Sequence, residues 1–169
     1  WAHVLSAEAL AAGEKVIGSF QWVQDQISLP PRTFLHGDVK AANMFMLTNS
    51  DDTRAPAFFD WQYIAIGKGC CDVLFLLVEG HDITTVRELE PRVQQAYYDF
   101  LVGFGVSNYS FEELKRDWKL AAMYFPIYVA MWFGTVADED LVDPMFPRRF
   151  VPRAFDCILR NSAVDILPQ

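Results

Sequence analysis

The stretch Leu35-His36-Gly37-Asp38-Val39-Lys40-Ala41-Ala42-Asn43 sets an imidazole, a carboxylate, an amine and an amide into one short segment, and Phe59-Asp60-Trp61-Gln62 adds a second carboxylate 17 residues after Asn43. Phosphoryl transfer asks for such a set. One carboxylate orients, and helps deprotonate, an attacking hydroxyl; hard oxygen ligands hold the Mg²⁺ that bridges nucleotide phosphates. Asp38 suits the first role, and Asn43 with Asp60 the second. Each residue taken alone also fits a turn or a strand end, where Asp and Asn are favoured for local hydrogen bonding. Their ordered spacing is what favours the chemical reading. A metal-dependent hydrolase using Asp38 and Asp60 is a further reading, but it lacks the histidine ligands common at such sites.

Short strands and turns must position these groups. Thr33 to His36 reads as a strand entering a loop, Met44 to Leu47 as a second strand, Thr48 to Arg54 as a turn, and Ala57 to Asp60 as a third strand. The polar groups fall where the apolar runs end. Around this platform, near residues 33 to 66, the chain reads as helical. Residues 6 to 28 form one helix capped by Ser6 and stopped by Pro30-Pro31. Cys70 to Val78 and Glu88 to Phe104 form two more. Ser110, with Glu113 at the capping-box position, opens a helix that runs through Trp118 into an apolar segment, where Pro126 should kink or restart it. Asp143-Pro144 could begin a last helical region, of which Arg153 to Asn161 is the better helical part. The expected fold is α+β, mostly helical, with a small β platform carrying the loop.

The ordered set His36-Gly37-Asp38, Asn43, then Asp60-Trp61-Gln62 resembles the catalytic loop and metal motif of the aminoglycoside phosphotransferase and choline kinase-like superfamily, small-molecule relatives of the protein kinases. Gly67-Lys68-Gly69-Cys70-Cys71-Asp72-Val73-Leu74 resembles a further segment of that family. The Asp-Trp-Gln form leans toward the ecdysteroid- and choline-kinase-like branch. The resemblance implies a protein-kinase-like fold, ATP as co-substrate, Mg²⁺, and transfer of the γ-phosphate to a small-molecule hydroxyl. It makes Asp38 the base or hydroxyl-orienting group, Asn43 and Asp60 the metal ligands, His36 a support of the loop, and Asp72 a hydrogen-bond partner of the loop backbone. Lys40, where protein serine/threonine kinases also place a lysine, would neutralise the transferred phosphoryl group. The motifs cover roughly residues 33 to 80. The family also has a preceding nucleotide-binding lobe with a phosphate-covering loop and a lysine. Here one helix precedes His36 and no G-x-G-x-x-G occurs, so residues 1–169 read as a single domain, the C-terminal lobe without its N-lobe. Such a lobe alone should bind nucleotide poorly. The alternative is a non-catalytic kinase-like binding or scaffold module.

Composition narrows the partners. The formal charge is −8, from 14 Lys+Arg against 22 Asp+Glu, and no basic stripe offsets it, which argues against nucleic acid. Apolar residues at 52% exclude disorder as the main state. Leu120 to Ala137 carries no charge and reaches the lower limit of a membrane span, about 17–25 residues, but its Pro126 and Gly134 favour a buried core helix. No signal peptide is visible, and three cysteines, two of them adjacent, suggest a reducing compartment; a cytoplasmic protein is expected. His3 and His81 lack ligand spacing and read as surface residues, and Cys70 and Cys71 as packing residues. Tyr124, Tyr128 and Trp132 recur every four residues. Core packing explains them. The functional alternative is an aromatic acceptor wall that, with Asp138, Glu139, Asp140 and Asp143, would attract a cationic or hydroxylated substrate.

Overall fold

The computed structural model describes residues 1–168, the side chain of Asp138 apart. Ser6 caps the first helix, its hydroxyl accepting the Ala9 N–H, but the helical run breaks at Ser19 into α1 (Ala7–Gly18) and α2 (Phe20–Ile27). Gly18-Ser19 pairs two weak helix formers in mid-run, and Ser19 leaves helical backbone with φ −108° and ψ 16°.

The platform consists of β1 (Thr33–Leu35), β2 (Met44–Thr48), β3 (Arg54–Phe58) and β4 (Ala65–Gly67). These form two separate antiparallel pairs. β1 lies against β4, with Leu35 opposite Ala65; β2 lies against β3, with Met44 opposite Phe58. The third strand therefore ends before Asp60, where the sequence pattern had included that residue. Asp60 instead takes left-handed backbone with φ +63°. The tight turn after β2 explains the earlier pairing. Asn49 N–H donates to Thr53 O, and Asp51 accepts both the N–H and the hydroxyl of Thr53, so the chain reverses at once.

The helices that follow are α3 (Cys70–Gly80), α4 (Ile83–Gly103), α5 (Phe111–Ala122), α6 (Phe125–Phe133) and α7 (Phe146–Arg160). α4 begins five residues before the expected Glu88 because Asp82 caps it, accepting the Thr85 N–H, and it carries Pro91 inside. Ser110 and Glu113 close a complete capping box on α5. Pro126 restarts the helix as α6; it stands in the first turn, where a missing N–H costs nothing. By the same logic Pro147 starts α7 well before Arg153.

The helices bury one contiguous core that includes Leu74, Leu114, Trp118, Phe125 and Phe150. Its polar centre is Glu90, which accepts Trp118 Nε1 at 2.6 Å and Asn161 Nδ2 at 2.8 Å and pairs with Arg160. The uncharged segment from Leu120 is divided between the end of α5 and α6. No helix among the described residues is long and apolar enough to cross a membrane.

Candidate active site

Asp72 lies in the first turn of α3, where the helix dipole favours an anion. Its carboxylate reaches back to β1 and accepts two consecutive backbone N–H groups, from His36 at 2.7 Å and from Gly37 at 3.0 Å. Gly37 has φ +81°, and a Cβ there would stand 2.2 Å from the Tyr63 carbonyl oxygen, so only glycine makes this turn unstrained.

His36 is 3% exposed and ties two segments together. Its Nε2 lies 2.8 Å from Phe59 O, and its Nδ1 is 3.3 Å from the Asp38 N–H. Both contacts are satisfied by one tautomer, the proton on Nε2 donated to Phe59 and the lone pair on Nδ1 accepting from Asp38. The Trp61 ring packs on the imidazole at 4.5 Å between centroids.

The loop then delivers Asp38, 3% exposed, between two partners. Lys40 Nζ pairs with Oδ2 at 2.7 Å, and Asn43 Nδ2 donates to the same oxygen at 2.9 Å and to the Asp38 carbonyl at 3.0 Å. Asp38 Oδ1 and Asn43 Oδ1 accept no hydrogen bond from the described residues. Asn43 is itself buried in a 3₁₀ turn, Ala41–Asn43, and its carbonyl accepts the Phe59 N–H at 3.1 Å. His36, Asp38, Lys40, Asn43 and Asp72 thus form one hydrogen-bonded unit. Asp60 joins it through the backbone of Phe59. The Asp60 carboxylate is exposed and receives only a long contact, 3.4 Å, from Gln62 Nε2. The oxygens that could hold a hard divalent cation are therefore Asn43 Oδ1 and the Asp60 carboxylate; their chemistry fits Mg²⁺, and neither is consumed by a strong internal bond.

Asp38 and Lys40 open onto a cavity of about 240 Å³. Its far walls are aromatic, with Tyr63, Phe75 and Trp132 among them, and Glu79 supplies a second carboxylate. Burial pushes the Glu79 carboxyl above its ordinary range; Asp38 adds to that, and Lys40 and Arg153 oppose it. Glu79 was not among the residues singled out from sequence. A signal existed: it follows Asp72 by seven residues on α3, two helical turns, so both carboxylates share a face with Phe75.

The aromatic row divides. Trp132 lines the cavity and stacks on Tyr128 at 5.2 Å, whereas Tyr124 accepts a hydrogen bond from Gln24 Nε2 at 2.6 Å. Of the acidic run, Glu139, Asp140 and Asp143 do not line the cavity, and Asp143 pairs with Arg149. The side chain of Asp138 lies outside the described residues. His3 and His81 are exposed, and the three cysteines are free, Cys70 and Cys157 in the core.

A mostly helical lobe with two small antiparallel sheets, one bearing a His-Gly-Asp loop held from behind by an aspartate, has the layout of a kinase-like C-terminal lobe. Residues 4–145 match the family described as "Uncharacterized oxidoreductase dhs-27" (DUF1679), and the chain belongs to that family, which is related to the ecdysteroid/CHK kinase-like group. No curated protein and no solved structure matches the chain.

Proposed function

We propose that the chain is the catalytic lobe of an ATP- and Mg²⁺-dependent phosphotransferase of the aminoglycoside phosphotransferase and choline kinase-like superfamily, acting on the hydroxyl of a small molecule in the cytoplasm. The observation that carries this reading is Asp38: a buried carboxylate with one oxygen held by Lys40 and Asn43 and the other accepting no hydrogen bond from the described residues, on the wall of an aromatic cavity large enough for a small alcohol. In the proposed step the acceptor O–H gives its proton toward Asp38 Oδ1 while its oxygen bonds to the γ-phosphorus and the bond to the β-phosphate oxygen breaks. Lys40 lies beside the developing charge. Asn43 Oδ1 and Asp60 would hold Mg²⁺, which supplies charge neutralisation on the phosphates. The exposed apolar strand β2, with Phe45 and Leu47 on one face and both more than half exposed, offers a surface for the nucleotide base. Within the cavity, Glu79 and the faces of Trp132 and Phe75 favour an acceptor that carries a cationic centre beside its hydroxyl.

The family's description suggests a redox reading. The chain has no G-x-G-x-x-G fingerprint, and the sheets among the described residues are two antiparallel pairs, not the parallel βαβ unit that binds a dinucleotide. The site favours phosphoryl transfer.

The test is ATP-dependent phosphorylation of a panel of amino alcohols and neutral alcohols by the complete gene product. Asp38→Asn should lower kcat by about 10²–10⁴ with nucleotide affinity nearly kept. Asp60→Ala should weaken Mg²⁺-dependent ATP binding by calorimetry. Full turnover in both variants would overturn the assignment.

A further inference from the structure

A second cavity, of about 300 Å³, shares no lining residue with the first. It opens between Thr33 of β1, the Lys68-Gly69-Cys70 junction of β4 with α3, the C-terminal half of α4 and Asp117 of α5. One end is polar. Lys68 is 4% exposed, and among the described residues its ammonium meets only Asp117 Oδ2, at 3.1 Å, which leaves two N–H donors without a partner. Tyr109 donates to that same Asp117 oxygen at 2.8 Å. The Tyr97 hydroxyl also lines the cavity and makes no hydrogen bond among the described residues; burial pushes it up to about 12, so it is a donor at every physiological pH. Arg32 stands at the exposed rim with no ion pair among the described residues. The remaining wall is apolar, formed largely by Leu101, Val106 and Pro31.

The charges do not cancel. Two cations and one anion line the space, and a buried ammonium with a single contact is an incompletely solvated ion. The shape asks for an anionic head against Lys68, Tyr97 and Arg32 and an apolar body along Leu101 and Val106. We infer that this cavity binds a small organic monoanion, a carboxylate with an apolar tail. The site is independent of the phosphotransfer reading, but it touches the same scaffold. Thr33 is three residues before His36 on β1, and Lys68 is four residues before Asp72, so an occupant braces both segments that hold the His36–Gly37 turn.

The probe is octanoate, with octanamide as its uncharged counterpart, titrated into the chain by calorimetry and followed by backbone amide NMR. Octanoate should bind at least about tenfold more tightly than octanamide, the worth of one charge-assisted hydrogen bond. The amides of His36 and Gly37 should shift on binding. Val106→Trp, which fills the cavity from a half-buried loop position, should abolish binding of both. The double variant Lys68→Met/Asp117→Leu removes both members of the buried pair and should erase the preference while keeping octanamide affinity. If that variant does not fold, Arg32→Ala, at an exposed position, should still narrow the preference. Equal affinities for the two probes, no octanoate binding at millimolar concentration, or octanoate binding that survives Val106→Trp would each overturn the inference.

Discussion

Replacing Asp72 by alanine isolates what holds the His-Gly-Asp turn in place. The carboxylate accepts N–H groups from His36 at 2.7 Å and Gly37 at 3.0 Å. A hydrogen bond to an ionised acceptor contributes about 1.5–3 kcal/mol net, so the pair could reach about 3–6 kcal/mol. Asp72 and Gly37 are only half-buried, which lets water recover part of that loss. The lower end, about 3 kcal/mol, is therefore expected, and at ~1.4 kcal/mol per decade this makes local opening of the turn about a hundredfold more frequent. Native-state hydrogen exchange reads this directly. The His36 and Gly37 amides should exchange about a hundredfold faster in Asp72→Ala, and the melting temperature should drop by roughly 6–12 °C for a chain of this size. Asp72→Asn keeps one acceptor oxygen and should lose about half as much. If both amides keep wild-type protection in Asp72→Ala, even with a lowered melting temperature, the turn is not held from α3 and the account of the site is wrong.

Gly37→Ala forces a Cβ against the Tyr63 carbonyl in left-handed backbone; beyond the usual ~1–3 kcal/mol for such a residue, the clash should displace the loop, seen as loss of activity with the helical circular dichroism retained. Glu90→Ala strips Arg160, Trp118 and Asn161 of their shared partner and should cost about 3–5 kcal/mol in urea unfolding, with the active site otherwise intact. Glu79 gives a pH signature. Its carboxyl is raised by burial, and a cationic acceptor needs it ionised, so affinity for choline should be full at neutral pH. It should fall on acidification at a pH above that of an ordinary glutamate, about 4.3. Glu79→Gln should remove that pH dependence and bring choline down to the affinity of its uncharged carbon analogue 3,3-dimethylbutanol. Retained discrimination in Glu79→Gln would refute the role given to this carboxylate, whatever becomes of ATP binding.

Local signals were readable wherever a few neighbouring residues decide the outcome. The Ser6 and Ser110 caps and the restart at Pro126 depend on groups within one turn of each other. Boundaries failed where a competing local choice prevailed: Gly18-Ser19 broke a helix that the periodicity made continuous, and Asp82 began α4 before Glu88. The acidic run near residue 140 looked like a partner for the aromatic row because sequence proximity was the only measure of distance. In the fold Glu79, brought from α3, lines the cavity together with Trp132 of α6, and Glu139, Asp140 and Asp143 do not line it.

Hydrophobic period, capping and turn residues act over a few positions, so the helical body, the polar loop and the order of the groups that chemistry would use were legible in the chain. Which of those groups meet was set by long-range packing. The pairing of β1 with β4 lets Asp72 reach the His36 and Gly37 amides, and the packing of α3 against α6 and α7 sets Glu79 beside the aromatic wall. Those contacts join residues far apart along the chain. They form only when burial of the shared core offsets the entropy of closing the loops between them.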